Sequence, residues 1–125
     1  MRRAAKIDKN QPAIVKGLRR VGVQVIIPNA GDDFPDIITC YRNSWVLIEI
    51  KDQNTPMKRG QMQFLADAKG KVGIAMNCEE ALSIAKGEGV LTDKQKNNIA
   101  VFLRTFEGKT MAIRKFLREC GIGGG

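Results

Sequence analysis

The chain has 125 residues, with 21 Lys and Arg against 13 Asp and Glu, a formal net charge of +8 and no histidine. That length suits one domain with a real core, and 43% hydrophobic with 27% charged residues is the balance of a soluble globular protein. Without histidine there is no Ser-His-Asp or Cys-His nucleophile, no His-ligated zinc and no imidazole base, so any chemistry falls to carboxylates, lysine, amides, hydroxyls or thiols.

In chain order, Ile14, Val15, Leu18 and Val21 recur at helical spacing from Asn10 to Val21. Asn10 reads as the N-cap, Pro12 sits in the tolerant first turn and Gly22 is the stop. This helix offers Lys16, Arg19 and Arg20 to solvent. Val23 to Ile27 reads as a strand closed by Pro28-Asn29-Ala30-Gly31. Asp36 to Tyr41 and Trp45 to Lys51 are β-rich runs joined by Arg42-Asn43-Ser44, a hairpin pattern. Asp52 to Pro56 is a loop and Lys58 to Lys69 a helix with Met62, Leu65 and Ala68 on one stripe. Val72 to Met76 is a further buried strand. Asn77-Cys78-Glu79-Glu80 spells a capping box and opens the next helix.

The expected class is therefore α/β: a mixed central sheet flanked by helices over residues 1–87, a helical extension over 88–120 and a glycine-rich tail over 121–125. Gly87-Glu88-Gly89 reads as the hinge. Beyond it Thr92-Asp93-Lys94-Gln95 is a second capping box, leading a helix to Phe106. A second helix spans Thr110 to Cys120, so the extension reads as a helical hairpin. Such a pair serves either DNA reading or packing and dimer formation.

Charge is unevenly spread. Residues 1–30 carry seven Lys/Arg and one acid, residues 31–80 six against eight, and residues 81–125 eight against four. Two basic ends around an acidic middle suit a protein that holds a divalent cation beside a phosphodiester. The three cysteines (Cys40, Cys78, Cys120) are dispersed and odd in number, which fits a reducing compartment. The basic start is followed by no apolar segment, and no apolar run is long enough for a bilayer. A cytoplasmic location, with no membrane partner and no nucleotide cofactor, is expected.

The chemistry concentrates in Pro35-Asp36 and Glu49-Ile50-Lys51. Glu49 and Lys51 are two apart on a strand and share a face. If Asn43-Ser44 forms the two-residue loop, Asp36 pairs with Lys51 and Glu49 with Ile38, and all three charges meet on that face. A shift of one residue would scatter them. Within strands this apolar, such charges are either salt-bridged at a sheet edge or arranged around a cation. In the second case the Asp36 and Glu49 carboxylates and the Ile50 carbonyl suit Mg²⁺ or Mn²⁺, and Lys51 orients the nucleophile and offsets charge at the phosphate.

Pro35-Asp36 with Glu49-Ile50-Lys51 resembles the PD-(D/E)xK nuclease signature, and its surroundings resemble the VRR-NUC branch in the short stand-alone form found in phages. Three features carry the likeness further: Gln61 at the start of the helix after the lysine, Asp8-Lys9-Asn10-Gln11 opening the first helix, and Gly31-Asp32-Asp33-Phe34 leading to Pro-Asp. The likeness covers about residues 4–86. The family usually has a glutamate on the first helix, where this chain offers Asp8 with Gln11 beside it. The resemblance implies a restriction-endonuclease-like core and a Mg²⁺/Mn²⁺-dependent DNA endonuclease. It also implies a homodimer acting on branched DNA such as Holliday junctions.

Gln61 reads equally as an exposed helix residue or as an amide touching lysine, water or phosphate. Asp8 is either a metal ligand or an acid favouring the helix dipole. Gln11, Lys16, Arg19, Arg20, Lys58 and Arg59 are the DNA-binding candidates, Lys58 and Arg59 being alternatively ordinary surface cations. Phe34, Tyr41 and Trp45 read as core. A non-catalytic basic nucleic-acid-binding module and a domain meeting an acidic protein are the competing readings.

Overall fold

The computed structural model describes residues 10–123. The elements are α1 (Gln11–Arg20), β1 (Gln24–Ile26), β2 (Ile37–Tyr41), β3 (Ser44–Ile50), β4 (Met57–Lys58), α2 (Arg59–Asp67), β5 (Val72–Ala75), α3 (Cys78–Ala85), α4 (Asp93–Thr105), β6 (Thr110–Met111) and α5 (Ile113–Glu119). The main sheet runs β1-β2-β3-β5, antiparallel except for the parallel β3–β5 pair. This is an α/β arrangement with a mixed sheet flanked by helices.

Alternation along β3 divides the sheet's two faces. Val46, Ile48 and Ile50 point to one side and share a core with Ile14, Val15 and Leu18 of α1 and with Ala81, Ile84 and Ala85 of α3. Gly73 lets α3 come this close: a Cβ there would stand 2.6 Å from Cγ2 of Ile84. On the other side Leu47 and Val72 join a second cluster with Met62 and Leu65 of α2, Leu91, Ile99 of α4, and Ile113 and Phe116 of α5. That cluster draws on residues from both sides of the Gly87 hinge.

The hairpin turn differs from the expected one. Tyr41 pairs with Ser44, so Arg42-Asn43 forms the loop, both residues having positive φ (50° and 68°). Positive φ at both central positions is the geometry whose twist matches the flanking strands. Moving the loop by one residue changes the pairing by two, which preserves every face. Asp36 therefore falls opposite Glu49 rather than Lys51, and the three charges still share one side.

Residues 108–112 are also corrected. Thr110–Met111 is a strand, not the start of a helix, and pairs antiparallel with Met57–Lys58 in a two-stranded ribbon. Met57, fully buried beneath it, supplies the reason. The last helix then begins at Ile113, and a β-ribbon interrupts the expected helical hairpin. Trp45, read as core, is instead 52% exposed. No helix among the described residues is long and apolar enough to cross a membrane.

Candidate active site

Four of the expected site residues converge on the sheet face that α2 overlies. β3 carries Glu49 and, one residue past its end, Lys51, each only 2% exposed. The Lys51 ammonium lies 3.4 Å from Oε2 of Glu49. It donates to Oε1 of Gln61 and to the carbonyl of Pro56, both at 2.9 Å. Gln61 in turn donates through Nε2 to the same Glu49 oxygen at 3.1 Å. Its Oε1 also accepts the Lys58 backbone N–H at 3.0 Å. The amide is thus half of a helix-capping arrangement and part of the charged cluster at once, and it is buried rather than exposed.

Asp36 arrives from the opposite strand. One residue before β2 begins, its Oδ2 accepts the Ile50 backbone N–H at 2.7 Å. A strand residue presents its N–H and C=O toward the same neighbour. The Ile50 carbonyl therefore shares the edge that meets Asp36. Glu49 is held well above the ordinary carboxylate range: burial contributes most, then the negative charge of Asp36, with Lys51 pulling the other way.

Pro35, buried, and the Gly31–Phe34 approach aim Asp36 into this face. Phe34 packs edge-on against Phe64 of α2, with ring centroids 5.3 Å apart. A Cβ at Gly60 would overlap the Asp33 carboxylate, so glycine there allows the loop to lie against the first turn of α2.

Asp8 lies outside the described residues. Gln11 is buried, 7% exposed, and so is poorly placed to meet a DNA backbone directly. Lys16, Arg19 and Arg20 are exposed on α1, with Arg19 donating to the Val25 carbonyl. Lys58 is exposed on the ribbon. Arg59 is half-buried and engaged: its Nε donates to the Gly108 carbonyl, and its guanidinium sits 5.0 Å from the Phe106 ring centroid. Arg59 therefore serves the fold here, which corrects its reading as an ordinary surface cation.

Asn10 stands at the N-cap of α1 as expected, but the partners of its side chain were not foreseen. Its side chain does not cap α1. It donates instead to the carbonyls of Lys51 (3.1 Å) and Met76 (2.9 Å), tying the ends of β3 and β5 to the start of the helix. These partners are 41 and 66 residues away, so no local pattern could reveal them. Among the described residues no group of three or more His, Cys, Asp or Glu side chains could hold a metal ion. Comparison with protein-family models, with curated proteins and with solved structures gives no match for this chain.

Proposed function

We propose that this chain is a Mg²⁺- or Mn²⁺-dependent DNA endonuclease of PD-(D/E)xK type, built on a restriction-endonuclease-like core and acting on branched or duplex DNA. The observation that carries the reading is the meeting of Asp36, Glu49, Lys51 and Gln61 on one sheet face, with Lys51 buried and fixed by three oxygens. The site fits a hard divalent cation. Buried Glu49 is penalised for its charge beside Asp36, and Mg²⁺ sites commonly use one or two carboxylates with water completing the sphere. Asp36, Glu49 and the Ile50 carbonyl would hold the ion. When bound, it supplies polarisation of a phosphoryl oxygen and a water of lowered pKa.

The chain's own groups do the rest. Lys51 brings a full positive charge, held without rotamer freedom, toward the oxygens where negative charge develops. Gln61 keeps that ammonium and the Glu49 carboxylate in fixed relation. The exposed cations of α1 add attraction for the phosphate backbone. A homodimer with two-fold symmetry would set two such sites against opposed strands of a junction.

The test is cleavage of four-way, flapped and linear DNA with Mg²⁺ or Mn²⁺, comparing wild type with Lys51→Ala and Asp36→Ala. We expect metal-dependent cutting by the wild type and a loss of roughly 10²–10³-fold for each variant, the scale of removing one charge-stabilising group. Metal-dependent cutting that survives both substitutions overturns the site assignment. Tight DNA binding without any cutting, and without Mg²⁺ binding that depends on Glu49, replaces the enzyme by a binding module.

A further inference from the structure

From the two side-chain rows that lead along the sheet to the Asp36–Glu49 pair, we infer a stacking platform for unpaired nucleotides, with Trp45 as its aromatic member. The platform rests on the nuclease reading for its substrate and specifies the part it holds: splayed or single-stranded bases beside the phosphate to be cut.

Strand register places the rows. Residues directly opposite each other on antiparallel strands share a face. Gln24, Cys40 and Trp45 therefore form one row across β1, β2 and β3, and Ile26, Ile38 and Leu47 form the next. Glu49 follows Leu47 by two residues with Asp36 opposite, so the carboxylates make a third row on the same face. At about 3.3 Å per residue, Trp45 stands roughly 13 Å along β3 from Glu49, or about four steps of a DNA strand at ~3.4 Å each.

The two sides of these strands differ sharply in exposure. Val25, Thr39 and Val46 point the other way and are buried, the two valines in the core shared with α1 and α3. On the carboxylate side Trp45 is 52% and Ile26 40% exposed, Gln24 is exposed, and Ile38 and Cys40 are half-buried.

Chemistry selects the occupant. None of these five side chains is charged, so the face offers no cation to a phosphate, only apolar surface and one large π-face for a flat ring. Inside a paired duplex both faces of a base are already covered by its neighbours. An unpaired base has a face to give, and bases stack on aromatic side chains whatever their sequence. A second copy of the chain fits less well, because a stable protein interface takes about 20–30 residues a side and this patch has five. Unpaired bases close to the cut are what separate branched DNA from continuous duplex.

Trp45 is the single tryptophan of the chain, so its emission reports on this face alone. The full chain, in EDTA, is titrated with an oligothymidine of roughly 12 nucleotides and with a long, fully paired duplex. We expect oligothymidine to quench Trp45 strongly and the duplex to leave it nearly unchanged. Trp45→Ala should bind oligothymidine about ten-fold more weakly, the scale of one lost base–aromatic stack, with its duplex affinity unchanged. Trp45→Phe keeps most of the oligothymidine affinity. No quenching even at millimolar oligothymidine, or equal affinities for wild type and Trp45→Ala, overturns the platform even if the chain cuts DNA. Equal quenching by the duplex overturns it too. Quenching together with the loss in Trp45→Ala upholds it even if nothing is cut, and the failure is then that of the nuclease reading. Emission that shifts with protein concentration in the absence of DNA, with a dimer mass that Trp45→Ala reduces to a monomer, overturns it in favour of a second copy.

Discussion

Lys51 and Glu49 are each 2% exposed, a depth at which neither charge is tolerable alone. Their mutual contact, the Gln61 amide and the Pro56 carbonyl satisfy the lysine, but Glu49 remains under strain from burial and from Asp36. The sign of the consequence is definite. A carboxyl whose folded pKa is raised binds protons more readily in the native than in the unfolded chain, so its contribution to stability falls as pH rises. The fall begins near the unfolded value of about 4.3 and ends when the folded group has ionised. Without metal, Glu49→Gln should therefore have a higher Tm than wild type near pH 8, with the gap closing toward pH 4. Mg²⁺ should raise the Tm of wild type but not of the variant. Calorimetry across that range decides it, and a gap that widens on acidification would refute the assignment of Glu49. The cluster was legible in the sequence because parity on a strand is local information. The extra contacts of Asn10 and the commitment of Arg59 were not, since their partners lie far along the chain.

Elements were legible to the extent that hydrophobic period and turn chemistry fix them. The Thr92/Gln95 capping box forms, with reciprocal bonds of 3.1 and 2.9 Å, as its spelling implies. Asn77 likewise accepts from Glu80, but the Glu80 carboxylate reaches back to Met76 rather than Asn77. The short ribbon strands carried no pattern of their own. Two residues cannot show alternation, and β6 exists because Met111 meets Met57. The β5–α3 contact makes a direct prediction. Gly73→Ala would drive a methyl into Ile84, which is only 3% exposed and has little room to move. We expect a loss of about 1–3 kcal/mol, seen in urea denaturation as a lower midpoint at unchanged slope. A midpoint equal to wild type would show that α3 adjusts freely.

Across the whole molecule, the second hydrophobic cluster joins α2 and β5 to residues 91–122. Leu91 also donates its N–H to the Val72 carbonyl, so the extension is attached at the sheet as well as at the ribbon. Leu91, Ile99, Ile113 and Phe116 each gain roughly 1.5–3 kcal/mol from burial, a sum comparable with the 5–15 kcal/mol that holds a typical domain. A chain ending at Gly89 should accordingly show no cooperative thermal transition by circular dichroism, and a sharp transition would prove the first 89 residues self-sufficient. The sequence divides at the glycine hinge by composition, while the shared cluster depends on pairings that only tertiary contact reveals. The ribbon has a consequence during synthesis. A ribosome finishes Lys51 well before it reaches Thr110, so the loop that buttresses the lysine stays open until its distant mate emerges. The buried contacts of Lys51 would thus be completed only after Met111 has left the ribosome.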